Sequence, residues 1–315
     1  MSTIAFLFPG QGSQAVGMGR DLADKFRIAA ETFAEADEAL SFSLSRLCFE
    51  GPEEDLRLTE NTQPAILTVS VAAARVLAAH GVEPALAAGH SLGEWSAHVI
   101  AGTFSFADAV RSVKARGQAM QQAVPAGQGA MAAILALDPA RVAEACVEAA
   151  AETGGTVQAA NLNSPGQTVI SGAAAAVEKA AVICKAKGAR RTVMLPVSAP
   201  FHCALMAPAQ EEVARVLGSI AMHDPRIPVA ANFTGALVST AAEARDALIH
   251  QVTGAVRWVD CIQSLKSAGA NLFIETGPGK VLCGLLKQID PALRFLNVED
   301  AASLEKTLAE AKGSA

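Results

Sequence analysis

A serine with glycines two residues before and two after it is an arrangement that can make a hydroxyl nucleophilic. This chain carries one at Gly89-His90-Ser91-Leu92-Gly93-Glu94. The segment lies between an apolar stretch, Ala85 to Ala88, and a helix-like run from Ser91 to Ala101. G-x-S-x-G between a strand and a helix is the nucleophile-elbow pattern. Glycines at 89 and 93 remove side chains that would crowd so tight a bend. The N–H groups opening the helix can then hold an oxyanion. A second reading stands beside this one: Ser91-x-x-Glu94 is also a capping box, in which Ser91 merely caps the helix. Capping does not call for the paired glycines. The nucleophile reading is therefore carried forward, with Glu94 expected to steady the helix start.

A serine hydroxyl needs a base to take its proton. The chain has no tyrosine, so no phenolic group can serve, and six histidines. His202 is the best placed: it follows a strand and a proline, where a sheet-edge loop would present it beside the elbow. His90 points away from Ser91 in a tight elbow, and His98 sits inside the next helix. His80, His223 and His250 lie in polar or terminal settings. A lone loop histidine can equally be just solvated. Gly10-x-Gly12-x-x-Ala15 has two readings. It matches a dinucleotide fingerprint, which also needs a second strand ending in an acidic residue about 20 positions on. The stretch to Asp37 is helical in pattern, against that reading. Alternatively the loop brings the Gln11 N–H to the serine as half of an oxyanion hole. Arg111 and Arg116 share the Phe106–Val124 helix. Arg116, at the edge of the apolar stripe, either snorkels or reaches into the cleft to pair with a substrate carboxylate.

The elements that must position these groups read as α/β. Ile4 to Phe8 is a buried strand ended by Pro9-Gly10. Helical stretches follow at Gly19–Ala39 and Gln63–His80, ahead of the strand and elbow. This alternation predicts a largely parallel sheet with helices on both faces. The middle of the chain differs. A strand at Ala130–Leu137 leads into Asp138-Pro139, an N-cap with proline at the first helical position, and Gly154-Gly155 closes that helix. Strands at Val157–Asn161 and Thr168–Ser171 flank a Pro-Gly turn, a helix covers Ala173–Lys187, and Arg191–Val197 returns as a strand. The order β-α-β-β-α-β is the split ferredoxin-like unit. It reads as an insertion, giving segments 1–126 and 198–315 for a large catalytic subdomain and 127–197 for a small one. Beyond it come a helix at Ala207–Gly218, a strand at Val229–Phe233, a helix at Ala241–Val252, a strand at Leu272–Glu275 and Gly277-Pro278-Gly279-Lys280 leading into a helix. Lys312 to Ala315 reads as a frayed tail.

Composition narrows the partners. The chain has 315 residues, 51% hydrophobic and 18% charged, with a net charge of −6. That suits a large core and argues against nucleic acid. Six scattered cysteines without a C-x-x-C pair suggest reduced thiols in the cytoplasm. Without H-E-x-x-H a metal centre has little support. Met1 to Pro9 lacks a signal-peptide pattern, and no run of about 18 apolar residues suggests a membrane span.

Several motifs then agree in order along nearly the whole chain: F-P-G-Q-G-S-Q (Phe8 to Gln14), N-T-Q-P-A (Asn61 to Ala65), G-H-S-L-G-E, N-S-P-G-Q (Asn163 to Gln167), P-F-H-C-A-L-M (Pro200 to Met206) and G-P-G-K-V-L (Gly277 to Leu282). Together they resemble malonyl-CoA:acyl carrier protein transacylases of the free-standing, fatty-acid-synthesis type. The resemblance implies an α/β-hydrolase-like large subdomain with an inserted ferredoxin-like subdomain, and no cofactor. It implies Ser91 as nucleophile, His202 as base, and the Leu92 and Gln11 amides as oxyanion donors. Arg116 would bind the malonyl carboxylate, Gln251 would orient His202, and Gln63 would support the pocket. Phe201 resembles the malonyl-selecting form of its loop. Trp95 departs from the family's more frequent tyrosine.

The implied reaction is ping-pong transfer of malonyl from malonyl-CoA, through a malonyl-serine ester, to the phosphopantetheine thiol of acyl carrier protein. Arg190 and Arg191, with Lys185, Lys187, Lys280 and Lys287, could form a docking patch for that acidic partner, or be scattered solvated charges. A serine hydrolase would want an acid between Ser91 and His202 in the chain, and none stands out. A non-catalytic carrier-binding module would not need Ser91, His202 and Arg116 together.

Overall fold

The computed structural model describes residues 2–197 and 199–312. The expected tail at Lys312–Ala315 lies outside them apart from the helical backbone of Lys312, as does Ser198, the expected start of the second large-subdomain segment. Among the described residues ten strands form two sheets: β1 (Ile4–Phe8), β2 (Leu86–Gly89), β3 (Gly129–Leu135), β4 (Val157–Ser164), β5 (Gln167–Ala173), β6 (Arg191–Met194), β7 (Val229–Ala230), β8 (Leu237–Val238), β9 (Leu272–Thr276) and β10 (Phe295–Val298). One sheet runs β10-β9-β1-β2-β7-β8, parallel except for the β7–β8 pair. Its central strands are apolar at successive residues because both faces are covered. Phe6 and Phe8 of β1 enter the core beneath the Thr59–Ala79 and Gly93–Ala101 helices, and Ala5 and Leu7 enter the opposite core, formed with the Trp258–Ser267 and Val281–Ile289 helices.

The second sheet, β4-β5-β3-β6, is antiparallel throughout. With the Pro139–Thr153 and Ala174–Ala186 helices it completes the β-α-β-β-α-β unit. Asp138 caps the first of these by accepting from the Ala140 N–H at 2.8 Å, and Gly154 ends it at φ 69°. Ala132, Ile134 and Ile170 face the unit's own helices, while Met131, Ala133 and Val169 on the other face join the large core. The unit is thereby packed against the large sheet's helices, not tethered beside them.

Several boundaries differ from the sequence reading. The helix expected at Gly19–Ala39 breaks at Phe26, whose extended backbone (φ −127°, ψ 115°) separates Arg20–Lys25 from Arg27–Leu40. Two short helices, Leu44–Glu50 and Glu53–Arg57, follow in a stretch too short for a periodic signal. β6 stops at Met194, since Pro196 has no N–H to donate to a ladder. The strand expected through Phe233 stops at Ala230, which leaves Asn232 in a turn. Thr59–Ala79 is long and apolar enough by composition to cross a membrane, with a window hydropathy of 1.3, but 83% of that window is buried as the core helix of this fold.

One close approach decides where the elbow can sit. A Cβ on Gly93 would lie 2.0 Å from the Phe8 carbonyl oxygen, and one on Gly89 would lie 1.8 Å from the Gly93 carbonyl carbon. Gly93→Ala therefore forces backbone, not a flexible side chain, to move. A loss of about 3 kcal/mol or more is expected, read as a lowered urea midpoint; a wild-type midpoint would show that the contact can relax.

Candidate active site

The elbow is held by main-chain bonds on both sides. β2 ends at Gly89, the helix begins at Gly93, and Ser91 between them stands at φ 51°. A left-handed backbone at a non-glycine residue costs on the order of 1–3 kcal/mol. Asn232 Oδ1 accepts from the Ser91 N–H at 2.6 Å, Gln251 Nε2 donates to the Ser91 carbonyl at 2.9 Å, and Asn232 Nδ2 donates to the Gly89 carbonyl at 2.8 Å. At about 1 kcal/mol each, such bonds offset the strain. The capping-box expectation fails here. Leu92 is the N-cap, with no side-chain bond, and Glu94 turns inward. The physical reason is that the left-handed turn aims the serine hydroxyl out of the helix axis toward His202.

Ser91 Oγ lies 2.7 Å from His202 Nε2. His202 also has a left-handed backbone, φ 59°, in the turn that follows Pro200. Its Nδ1–H donates to the Gln251 main-chain carbonyl at 2.8 Å. Fixing the proton on Nδ1 leaves Nε2 as a bare acceptor facing the serine. Burial, and then the neighbouring Arg116 charge, push the imidazole down to about 3, against the opposing pull of the Gln251 carbonyl. The ring is neutral at pH 7. A main-chain carbonyl takes the place a carboxylate holds in a Ser-His-Asp triad, so Gln251 meets His202 through its backbone, not its side chain.

Arg116 is 1% exposed. Its Nη1 donates to Gln63 Oε1 at 2.7 Å, and its Nη2 donates to Gln251 Oε1 at 2.9 Å and to Ser91 Oγ at 3.2 Å. Its Nε has no acceptor among the described residues. Burial lowers it to about 10, so it remains a cation at pH 7. The snorkelling alternative is excluded for Arg116, whereas Arg111 is exposed and pairs with Asp108 at 2.7 Å. Glu94, fully buried, accepts from the Asn232 N–H at 2.9 Å and from Gln251 Nε2 at 2.7 Å. Burial raises its carboxyl to about 7, with those two bonds and Arg116 pulling the other way.

The remaining expected residues are placed nearby. A Cβ on Gly10 would stand 2.5 Å from the His90 carbonyl oxygen, so the Gly10–Gln11 backbone lies against the elbow. The Leu92 and Gln11 amides have no protein acceptor among the described residues. Phe201 is buried next to His202, within the large core. Trp95 is fully buried with its ring 5.6 Å from Phe104. Sequence reasoning missed Asn232, which carries no motif, and His90, whose Nε2 meets Asn163 Oδ1 of β4 at 2.8 Å and ties the elbow to the small subdomain. N-S-P-G-Q, the motif containing Asn163, was the available signal.

Of the basic residues, Lys187 pairs with Glu148 at 2.7 Å and Lys280 with Glu299 at 3.0 Å, which neutralises both. Arg190, Arg191 and Lys287 are exposed and have no carboxylate partner among the described residues. Arg191 pairs with Leu135 at the same sheet end as Gln167 and Ser164, and Ser164 Oγ bonds Gln288 at 2.9 Å. Arg190 and Arg191 thus stand at one end of the small sheet, which Gln288, next to Lys287, touches from the Val281–Ile289 helix.

The imidazole's burial has a direct consequence. Because desolvation disfavours the charged ring, the neutral base persists as pH falls through the range where a free imidazole would be half protonated. An NMR titration of the His202 ring nitrogens is expected to show no transition above pH 5, with a midpoint near 6.5 as the contrary result.

Comparison with known proteins gives the family. The acyl transferase domain model matches residues 5–306. The malonyl CoA-acyl carrier protein transacylase of Bacillus subtilis is 47% identical over 305 residues, covering 97% of this chain and 96% of that protein. The Escherichia coli K12 protein of the same name is 48% identical over 309 residues, covering 98% and 99%. The solved acyl carrier protein S-malonyltransferase of Vibrio cholerae superposes with a TM-score of 0.94 at 49% identity, covering 97% of this chain and all of that one. A malonyl-transacylase solved in complex with a type II polyketide acyl carrier protein superposes at 0.95 with 46% identity, covering 98% and 100%. With the Ser91–His202 pair and buried Arg116 on the same fold, the chain belongs to the acyl transferase domain family, among its malonyl-CoA:acyl carrier protein transacylases.

Proposed function

We propose that this enzyme moves malonyl groups from malonyl-CoA to the phosphopantetheine thiol of an acyl carrier protein, for fatty acid biosynthesis, through a malonyl-Ser91 ester. The carrying observation is that one oxygen, Ser91 Oγ, lies 2.7 Å from a neutral imidazole and 3.2 Å from a buried guanidinium. His202 Nε2 takes the Ser91 proton as Oγ attacks the thioester carbon. The oxyanion rests on the Leu92 and Gln11 amides. As the C–S bond breaks, His202 returns the proton to the CoA sulfur. The carrier thiol then gives its proton to His202, attacks the ester, and Ser91 regains a proton as the C–O bond breaks. An imidazolium disfavoured by burial and by Arg116 is short-lived, which favours passing the proton on at each step.

Arg116 selects the acyl group. A guanidinium this buried binds a malonyl carboxylate but gains nothing from an acetyl group, which lacks one. Gln63 and Gln251 aim its fork, and Phe201 disfavours a branched methylmalonyl group. The segments 1–126 and 198–315 supply Ser91, His202, Arg116 and Gln251. Segment 127–197 walls the cleft through Asn163 and presents Arg190 and Arg191 to the acidic carrier, while segment 198–315 adds Lys287. Lys280, paired with Glu299, contributes less.

Intact mass after mixing with malonyl-CoA tests the reaction. A single malonyl adduct removable by holo-carrier protein is expected, and none in Ser91→Ala; an adduct persisting in that variant would overturn the proposal. For docking, Arg190→Glu with Arg191→Glu is expected to slow transfer to carrier while leaving acylation by malonyl-CoA intact. Unchanged transfer would remove these two residues from the docking surface.

A further inference from the structure

Glu94 is a fully buried carboxylate behind the reacting groups, and the proposed reaction makes no direct use of it. Its Oε2 accepts from the Gln251 side chain at 2.7 Å and the Asn232 N–H at 2.9 Å. Oε2 accepts in either charge state, because an ionised carboxylate has no hydrogen to offer and a protonated Glu94 would carry its hydrogen on Oε1, which has no partner among the described residues. It therefore determines which end of the Gln251 amide faces it: Nε2 points to Glu94 and to the Ser91 carbonyl, and Oε1 must point the other way, to Arg116 Nη2 at 2.9 Å. With the amide reversed, an NH2 would face the guanidinium, donor against donor, in a site that excludes water. The second neighbour follows the same logic. Asn232, held by its N–H, offers Oδ1 to the Ser91 N–H at 2.6 Å and Nδ2 to the Gly89 carbonyl. His98 supplies no competing charge: its Nδ1 faces Thr103 Oγ1 at 3.0 Å, its Nε2 lies 4.0 Å from Glu94 Oε1, and burial keeps it neutral.

From this geometry we infer that Glu94 is a positioning residue for acyl-group selectivity: it fixes the Gln251 amide, which aims Arg116 at the malonyl carboxylate. Glu94 touches neither substrate nor a reacting atom, and acts only through Gln251 and Asn232. The inference rests on the reading of Arg116 as the carboxylate-binding residue.

The readout is the ratio of Ser91 acylation rates with malonyl-CoA and acetyl-CoA, followed by intact mass, in wild type, Glu94→Met, Glu94→Gln and Arg116→Ala. Glu94→Met removes both acceptor oxygens and is expected to lower the ratio by about tenfold or more, mainly through KM for malonyl-CoA. Acetylation should change little. Glu94→Gln can still turn one oxygen toward the same two donors and is expected to recover most of the ratio. A folded Glu94→Met that keeps the wild-type ratio, or that loses both acylations equally, overturns the inference. If Glu94→Met does not fold, Glu94→Asp carries the test. Its retracted carboxylate no longer reaches Gln251, so a reduced ratio supports the inference and an unchanged one overturns it. Arg116→Ala separates the two ideas. If that variant keeps its malonyl preference, the carboxylate-binding reading fails; if it loses the preference while the Glu94 variants keep theirs, only the role of Glu94 fails.

Discussion

The site depends on Ser91 standing in a left-handed backbone at a point where three chain segments close around it. The end of β1 presses on the elbow so closely that residue 93 has no room for a side chain, and the main chain at Gly93 leaves none at residue 89. The Asn232 turn and the end of the Ala241–His250 helix then grip the Ser91 N–H and carbonyl. The strain is local, and the bonds that hold it come from residues more than a hundred positions away. A hydroxyl directed out of the helix is available for proton transfer; one directed along the axis would cap the helix instead.

Desolvation supplies the second layer of control. The same burial that keeps His202 neutral keeps Arg116 short of counter-charge and raises Glu94 toward neutrality. Gln251 mediates among all three. Its main-chain carbonyl orients the imidazole, its Oε1 meets the guanidinium, and its Nε2 meets the carboxylate. One residue at the end of a helix thus couples the imidazole to the buried guanidinium, without a carboxylate touching the histidine.

The two subdomains divide the remaining work. The parallel sheet brings the ends of β1, β2 and β7 side by side, so loops distant in the chain meet at one edge. The small antiparallel sheet covers one face with its own helices and gives the other to the large core. Its β4 edge contributes Asn163 against His90, and at the same end of the sheet Arg190 and Arg191 have no carboxylate partner among the described residues. Cleft and surface patch therefore belong to one packed body.

Much of this was legible in the residues. The paired glycines around Ser91, the Asp138-Pro139 cap with Gly154 closing its helix, and the β-α-β-β-α-β order are local signals. Each can be read within a short stretch of chain, although Gly93 is also pressed by the Phe8 carbonyl of β1. His202 and Arg116 could be nominated by type and position, but choosing them over a solvated histidine and a snorkelling arginine took the family motifs. Tertiary structure alone decided three matters. Ser91 faces His202 instead of capping its helix, Glu94 turns inward to the Gln251 amide, and Asn232, unmarked by any pattern, holds the elbow. Each turns on which donor meets which acceptor once water is excluded, and that pairing is set by segments far apart in the chain.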